Sequence, residues 1–133
     1  MTLSLGKGVV LASSRKNPGM QMSACEAELI GLSDRASICV WARKFMIAQG
    51  YRMLPATIRQ DNRSTIALIN NGRSQSERTR HIDIRAFWLK ELIDSGEVEL
   101  VWTPTEDMLA DMLSKPLNGS RFVTLRDRLL SGV

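Results

Sequence analysis

A long amphipathic helix is the feature of this sequence that most constrains its fold. From Ser23 onward, apolar residues recur every three or four positions, which is the spacing of one helical face. Ser23 is a suitable N-terminal cap, and Gly50 is a natural C-terminal stop. The apolar stripe is formed by Leu29, Leu32, Ala36 and Val40 and is widened by Ile38, Trp41, Phe45 and Ala48. A helix with one apolar side has to pack against a second layer of secondary structure.

Short β-type segments lie on both sides of this helix. Met1–Leu5 and Gly8–Ser13 predict a hairpin, and residues 57–59 and 98–102 predict two further strands. More helices are predicted over residues 62–70 and 78–94, from Thr105 to Pro116, and around Leu125. The order β-β-α-β-α-α-β-α-α indicates an α/β fold with a mixed central sheet flanked by helices. At 133 residues the chain has the length of one domain, so we expect a single domain over residues 1–133.

Composition narrows the class of protein and the compartment. No apolar run is long enough for a membrane span, and no secretory signal is present, so we expect no membrane partner. Cys25 and Cys39 fall on the same predicted helix, roughly 21 Å apart along its axis, which excludes a disulfide between them. A reducing intracellular compartment, cytoplasm or nucleus, is therefore expected. The acid-free first 25 residues, which contain Lys7, Arg15 and Lys16, leave a mitochondrial transit peptide as an alternative.

The charge is unevenly distributed along the chain. The net charge is +4, and between Arg59 and Lys90 seven basic residues outnumber three acidic ones. A basic middle region suits a polyanionic partner such as nucleic acid, although a solvated basic face explains the charge equally well.

Two glutamates stand close together at the start of the long helix. Ser23 and Glu26 have the spacing of a capping box, which gives Glu26 a structural role. Glu28 lies roughly 160° around the helix from Glu26. It borders the apolar face next to Leu29, where an ionised carboxylate is costly unless it is paired or metal-bound. The alternative is a surface glutamate that the helix dipole stabilises.

Two aspartates are the other candidate carboxylates. Asp61 lies where a predicted strand meets a helix, so it is either an N-cap or a group presented at the carboxyl edge of the sheet. Asp111 lies a full turn into a helix, too far in for capping, and is either solvated or turned inward. With Glu28, these carboxylates from three separate elements suit a hard divalent cation. His81 is the only histidine and has no partner ligand nearby, which argues against zinc and leaves either packing or a phosphate contact.

Four blocks in the same order resemble the ribonuclease H domain of copia-type retrotransposon reverse transcriptases. They are SACEAELIGL, DNRSTIALINN, RTRHIDIRAFWLKELI and TEDMLADMLSKPL, and the resemblance runs from about Leu5 to Leu130. It implies a ribonuclease H-like fold in which Glu28, Asp61 and Asp111 are catalytic ligands of two Mg²⁺ ions. Such enzymes cut the RNA strand of an RNA–DNA hybrid by metal-assisted phosphoryl transfer. The resemblance also implies basic residues that would hold phosphates rather than read bases. They are Arg63, Arg73, Arg78, Arg80, His81 and Arg85.

The resemblance also implies that one element is lacking. The family begins with a strand that carries a further catalytic aspartate, whereas no acidic residue precedes Glu26 here. One expectation is a pseudoenzyme that contacts RNA or a hybrid inside a ribonucleoprotein assembly, where a partner chain completes the sheet edge. Another is an active ribonuclease H that receives the strand and its aspartate from another chain or from an upstream segment. A third is a retroelement relic without function.

Overall fold

The computed structural model describes residues 1–6, 8–14, 24–72, 80–113 and 115–131. Helices and strands are both present in this part of the chain, which confirms the predicted α/β class. The chain divides into two compact units. We call Met1–Lys16 with Thr103–Val133 the terminal unit, and Asn17–Trp102 the central unit. A single domain over residues 1–133 stays a prediction.

The terminal unit begins with the predicted hairpin. Strand β1, Thr2–Ser4, pairs antiparallel with β2, Val9–Ala12, with Leu3 opposite Leu11. The Ser4 hydroxyl donates a hydrogen bond to the Gly8 carbonyl at 2.6 Å and accepts one from the backbone N–H of Gly6 at 3.2 Å. This side chain therefore supplies contacts that close the turn.

The rest of the terminal unit departs from the prediction in one element. Residues from Thr105 onward were expected to form an α-helix, but Thr105–Asp107 and Leu109–Leu113 are 3-10 helices. Their backbone bonds span three residues, as between the Asp111 N–H and the Met108 carbonyl at 3.1 Å. Pro104 and Pro116 leave room for only a few turns, and so short a segment gains little from α-helical cooperativity. The predicted last helix is confirmed as α4, Ser120–Ser131, with Leu125 buried.

The central unit has a helix-rich crossover between two parallel strands. Its elements are α1 Ala24–Ala48, β3 Ala56–Gln60, α2 Arg63–Asn71, α3 Arg80–Asp94 and β4 Val98–Trp102. Strands β3 and β4 pair in parallel, with Ile58 beside Leu100 and Gln60 beside Trp102. Parallel neighbours need a long connection, and here α2 and α3 provide it. The described strands thus form two separate two-stranded sheets, one antiparallel and one parallel. A single mixed central sheet stays a prediction.

The core of the central unit is built from the predicted apolar faces. Its buried side chains come from three helices and are Leu29, Ala36, Ile69, Ile82, Ala86 and Leu89. The stripe of α1 is narrower than predicted, because Trp41 and Phe45 are 66% and 50% exposed. Their rings instead stack on each other with centroids 5.6 Å apart. No described helix has the length and apolar character that a membrane span requires.

Arg43 fixes the connection between α1 and β3. Its guanidinium donates to the carbonyl of Leu54 at 2.9 Å and to that of Met53 at 3.4 Å. The same group forms an ion pair with Glu97, which directly precedes β4. Because one rigid guanidinium holds two carbonyls and a carboxylate, it sets where β3 begins beside β4.

Candidate functional site

Glu28 lies at the border of the apolar core, as predicted. It precedes Leu29, which is fully buried, and the Glu28 Oε2 atom is itself buried. This position is not that of a surface glutamate with both oxygens in water. Ser23 lies outside the described residues, so the predicted capping box with Glu26 is a prediction that the structure does not address.

Asp61 is not the N-cap of α2, which corrects one of the two interpretations of this residue. The cap is Asn62, whose side-chain oxygen accepts hydrogen bonds from the backbone N–H groups of Ser64 at 2.9 Å and Thr65 at 3.3 Å. The half-buried Asp61 directly follows β3. It therefore lies at the carboxyl edge of the β3–β4 pair, where open α/β sheets place their ligands.

The Gln60 side chain holds the backbone at the carboxyl edge of the β3–β4 pair. This residue was not identified as a site residue from the sequence. The side chain is buried, and its Oε1 atom accepts hydrogen bonds from the backbone N–H groups of Asp61 at 2.8 Å and Asn62 at 3.1 Å. A buried amide that satisfies two successive backbone donors fixes the direction of the chain between β3 and α2. The available signal was a polar residue at the inward position of a strand, immediately before Asp-Asn.

Arg63 and Trp102 form a second arrangement at the same edge. The guanidinium carbon of Arg63, the first residue of α2, lies 4.3 Å from the centroid of the Trp102 ring. The indole Nε1–H donates to the Asp61 carbonyl at 3.2 Å. Arg63 was predicted to contact nucleic acid, whereas Trp102 was treated only as part of a strand. The structure shows that the two side chains form a cation–π pair on the surface.

Asp111 is turned inward and paired with two basic residues. Its side chain is only 10% exposed, and its Oδ2 atom lies 2.8 Å from Lys115 Nζ and 3.6 Å from Arg121 Nη2. The solvated alternative for Asp111 is therefore wrong. Two cations beside a largely buried carboxylate offset the cost of removing its charge from water. The two partners place positive charge at Oδ2, and a metal-ligand role for Asp111 stays a prediction.

The three predicted carboxylates are divided between the two units. Glu28 and Asp61 belong to the central unit, and Asp111 belongs to the terminal unit. Within the ranges that the structure describes, no group of three or more His, Cys, Asp or Glu side chains could hold a metal ion. Magnesium binding and catalysis by these residues stay predictions.

The predicted phosphate contacts differ in accessibility. Arg80 and His81 are exposed at the start of α3. Arg85 is half-buried, and its guanidinium already donates to the Ser33 hydroxyl and to Asp34, which ties α3 to α1. The last two, Arg73 and Arg78, lie outside the described residues.

Three curated proteins show what this chain is similar to. It is 30% identical over 126 residues, 94% of its length, to the retrovirus-related Pol polyprotein from transposon RE1 of Arabidopsis thaliana. The RE2 polyprotein of the same plant is 30% identical over 119 residues, 89% of the chain. The polyprotein from transposon TNT 1-94 of Nicotiana tabacum is 27% identical over 115 residues, 86% of the chain.

The match covers a small part of each relative. The chain spans 8% of the RE1 and RE2 polyproteins and 9% of the TNT 1-94 polyprotein. No family model matches the chain. No solved structure matches it either. The homologues of this chain are thus retrovirus-related Pol polyproteins from copia-type transposons, and it is similar to one short segment of them.

Proposed function

We propose that this chain is a ribonuclease H-like module of retroelement origin that contacts nucleic acid in a larger assembly and does not cleave it alone. The similarity to Pol polyproteins supports the origin. The α/β class and the four sequence blocks support the ribonuclease H-like fold. The observation that carries the non-catalytic part is the pairing of Asp111 with Lys115 and Arg121.

That pairing matters because a two-metal site depends on negative charge. In such a site the carboxylates hold two divalent cations that stabilise the attacking and leaving oxygens. Lys115 and Arg121 place positive charge at the Asp111 carboxylate, which lowers its attraction for a further cation. A carboxylate held in this way stabilises the protein rather than preparing it for metal binding.

Exposed basic side chains support contact with nucleic acid. Arg63, Arg80 and His81 are all exposed in the central unit. Side chains of this kind bind phosphates independently of sequence and position a strand on the protein. The chain would thus bind RNA or an RNA–DNA hybrid with a strong dependence on salt.

The small size of the described sheets supports a partner chain. Each described strand belongs to a two-stranded sheet, and β2 is largely exposed. Two strands alone are marginally stable in water, and an open edge is a template for another strand. A protein that adds a strand at such an edge would complete the sheet by β-augmentation.

An active ribonuclease H is the second candidate, and one observation favours it. Because Asn62 caps α2, the Asp61 carboxylate is not used as the helix cap. It would be retained for a metal-dependent reaction on the RNA strand of a hybrid, with the family's first strand and its aspartate supplied by another chain or by an upstream segment. These 133 residues contain no acidic residue before Glu26 that could take that place.

A hybrid-binding and cleavage assay separates the two candidates. The chain is mixed with a labelled RNA–DNA hybrid and magnesium, with and without a peptide that carries the family's first strand and its aspartate. Binding and RNA cleavage are measured under both conditions. We expect salt-sensitive binding without cleavage. RNA cleavage that is lost in Asp61→Asn but kept in the surface control Asp94→Asn would overturn the non-catalytic module. It would establish an active ribonuclease H instead. If the chain binds neither the hybrid nor a single strand, the proposed contact with nucleic acid is wrong.

A further inference from the structure

We infer that Arg63 and Trp102 form a stacking site for an unpaired nucleobase, an inference that rests on the proposed contact with nucleic acid. The pair lies at the carboxyl edge of β3 and β4, with the Arg63 guanidinium carbon 4.3 Å from the centre of the indole. Trp102 is 43% exposed although tryptophan is the largest apolar side chain that a core can bury. An exposed aromatic ring beside an exposed arginine is the combination that single-stranded nucleic acids use.

The indole is held in one orientation before any ligand arrives. Its Nε1–H donates to the Asp61 carbonyl at 3.2 Å, and the Asp61 N–H in turn donates to Gln60 Oε1 at 2.8 Å. Gln60 is buried and lies beside Trp102 in the register of the parallel pair. The ring is therefore held by β4, which carries Trp102, and by the backbone of Asp61, which directly follows β3. A ring fixed in this way loses little rotational freedom when a base stacks on it.

The chemistry of the pair selects a base together with its phosphates. A flat guanidinium on an indole extends the π surface, and bases stack both on aromatic rings and on arginine planes. The positive charge of Arg63 attracts the phosphates that flank such a base. A base inside a duplex presents only its edges, because its faces are covered by its neighbours. The site should thus favour single-stranded RNA or DNA over a duplex.

A purely structural role is the competing explanation. An exposed cation–π contact stabilises a protein modestly and needs no ligand. The two explanations differ in what they predict for binding, because a structural contact affects unfolding and leaves the affinity of the folded protein unchanged. Trp41 provides a matched control, since it is also an exposed tryptophan in the central unit but stacks on Phe45 instead of an arginine.

The test is the affinity of fluorescently labelled oligonucleotides for variants whose folding is checked by circular dichroism. Short single-stranded RNA and DNA, the same strands with abasic positions, and a duplex serve as probes. We expect Trp102→Ala to weaken single-strand binding by about 5- to 100-fold, as for removal of one stacking aromatic. Trp41→Ala should bind as the wild type does. Arg63→Ala should also reduce the slope of log affinity against log salt by about one.

Two further measurements keep the site testable if Trp102→Ala does not fold. Trp102→Leu keeps apolar volume without a π face and should lose affinity, whereas Trp102→Phe should retain most of it. In a Trp41→Phe, Trp88→Phe variant, Trp102 is the one remaining tryptophan, and a stacked base should quench its fluorescence. Abasic strands should quench it less.

Failure of the stacking site can be told apart from failure of the proposed function. If the wild type binds single strands and both Trp102→Ala and Trp102→Leu bind equally well, the stacking site is wrong and nucleic-acid contact stands. An equal affinity for abasic and normal strands would also rule out the stacking site alone. If the wild type binds no probe, the proposed function fails, and the stacking site fails with it.

Discussion

Asp111 and Lys115, four residues apart in the chain, form an ion pair in which the Oδ2 and Nζ atoms are 2.8 Å apart. The aspartate side chain is 10% exposed and the lysine side chain 51%, so the acid is nearly buried and the base is mostly in water. The same residue that the family resemblance assigns to magnesium thus has a structural partner. Structural pairing and metal binding at this carboxylate predict different effects of mutation.

Asp111→Asn should lower the free energy of unfolding by about 1 kcal/mol. The substitution keeps the shape of the side chain but removes the charge that faces Lys115 and Arg121, and much of the attraction is screened because both partners are exposed. Urea unfolding at neutral pH measures the change. Asp94→Asn is the matched control, since Asp94 pairs with Lys90 at the same spacing but is 61% exposed. Its cost should be below about 0.5 kcal/mol.

Thermal unfolding with and without magnesium tests whether Asp111 binds a metal ion instead. With Asp111 paired, the midpoint of thermal unfolding of the wild type should not change when magnesium is added or chelated. A rise with magnesium that Asp111→Asn abolishes would show that the metal binds the folded state through this carboxylate. The pairing would then be a resting state that the metal displaces.

Asn62→Ala should destabilise the protein by about 0.5–2 kcal/mol, because α2 loses the cap that satisfies the N–H groups of Ser64 and Thr65. Asn62→Asp retains an acceptor at the same place and should be close to wild type. Urea unfolding compares the two. Equal losses from alanine and aspartate would mean that the cap is not what Asn62 contributes.

The helices and strands were predictable because their signals are local. The stripes that contain Leu29 and Ala36 on α1, and Ile82 and Leu89 on α3, repeat within a few turns of the chain. Turn residues and prolines marked most boundaries correctly. The exception lies after Pro104, where the pattern of a helix was present but the segment was too short to form an α-helix.

The candidate site depended on contacts that periodicity does not encode. Asp61 and Asn62 are both good N-caps by residue type, and only the position of the first turn of α2 decided between them. Trp102 meets Arg63 across a crossover of two helices, so neither residue alone indicated a pair. Trp41 fitted the helical stripe, yet the core of the central unit is not wide enough to cover it.

Gly72 and Gly31 should respond in opposite directions to replacement by alanine. Gly72 ends α2 with a left-handed φ of 67°, and an added Cβ would lie 3.3 Å from Lys90 Cδ, so Gly72→Ala should cost about 1 kcal/mol. Gly31 lies inside α1, and a Cβ there would meet nothing within 4 Å. Gly31→Ala should therefore stabilise by up to about 1 kcal/mol through helix propensity. Urea midpoints that move in the same direction for both variants would contradict these assignments.

Cys39 should be a slow nucleophile at neutral pH. Burial raises the pKa of the Cys39 thiol above its ordinary value, an effect that a backbone hydrogen bond only partly opposes, so little thiolate forms. In a Cys25→Ser variant, alkylation by iodoacetamide should be slower than in the same variant unfolded by urea. Its rate should still be rising above pH of about 8.5, where a free cysteine is half ionised.

The raised pKa of the Cys39 thiol also makes the free energy of unfolding depend on pH. Because the pKa of Cys39 is higher in the folded state than in the unfolded state, the folded protein holds this proton more tightly. The stabilisation is fully present below the pKa of the unfolded thiol and is lost as the pH rises through the folded pKa. Cys39→Ser should therefore flatten the loss of stability on the alkaline side, measured by urea unfolding across that range. Two results together would show that the thiol is not shielded on α1. They are equal alkylation rates in folded and unfolded protein, and a loss of stability at alkaline pH that is the same in Cys39→Ser as in the wild type.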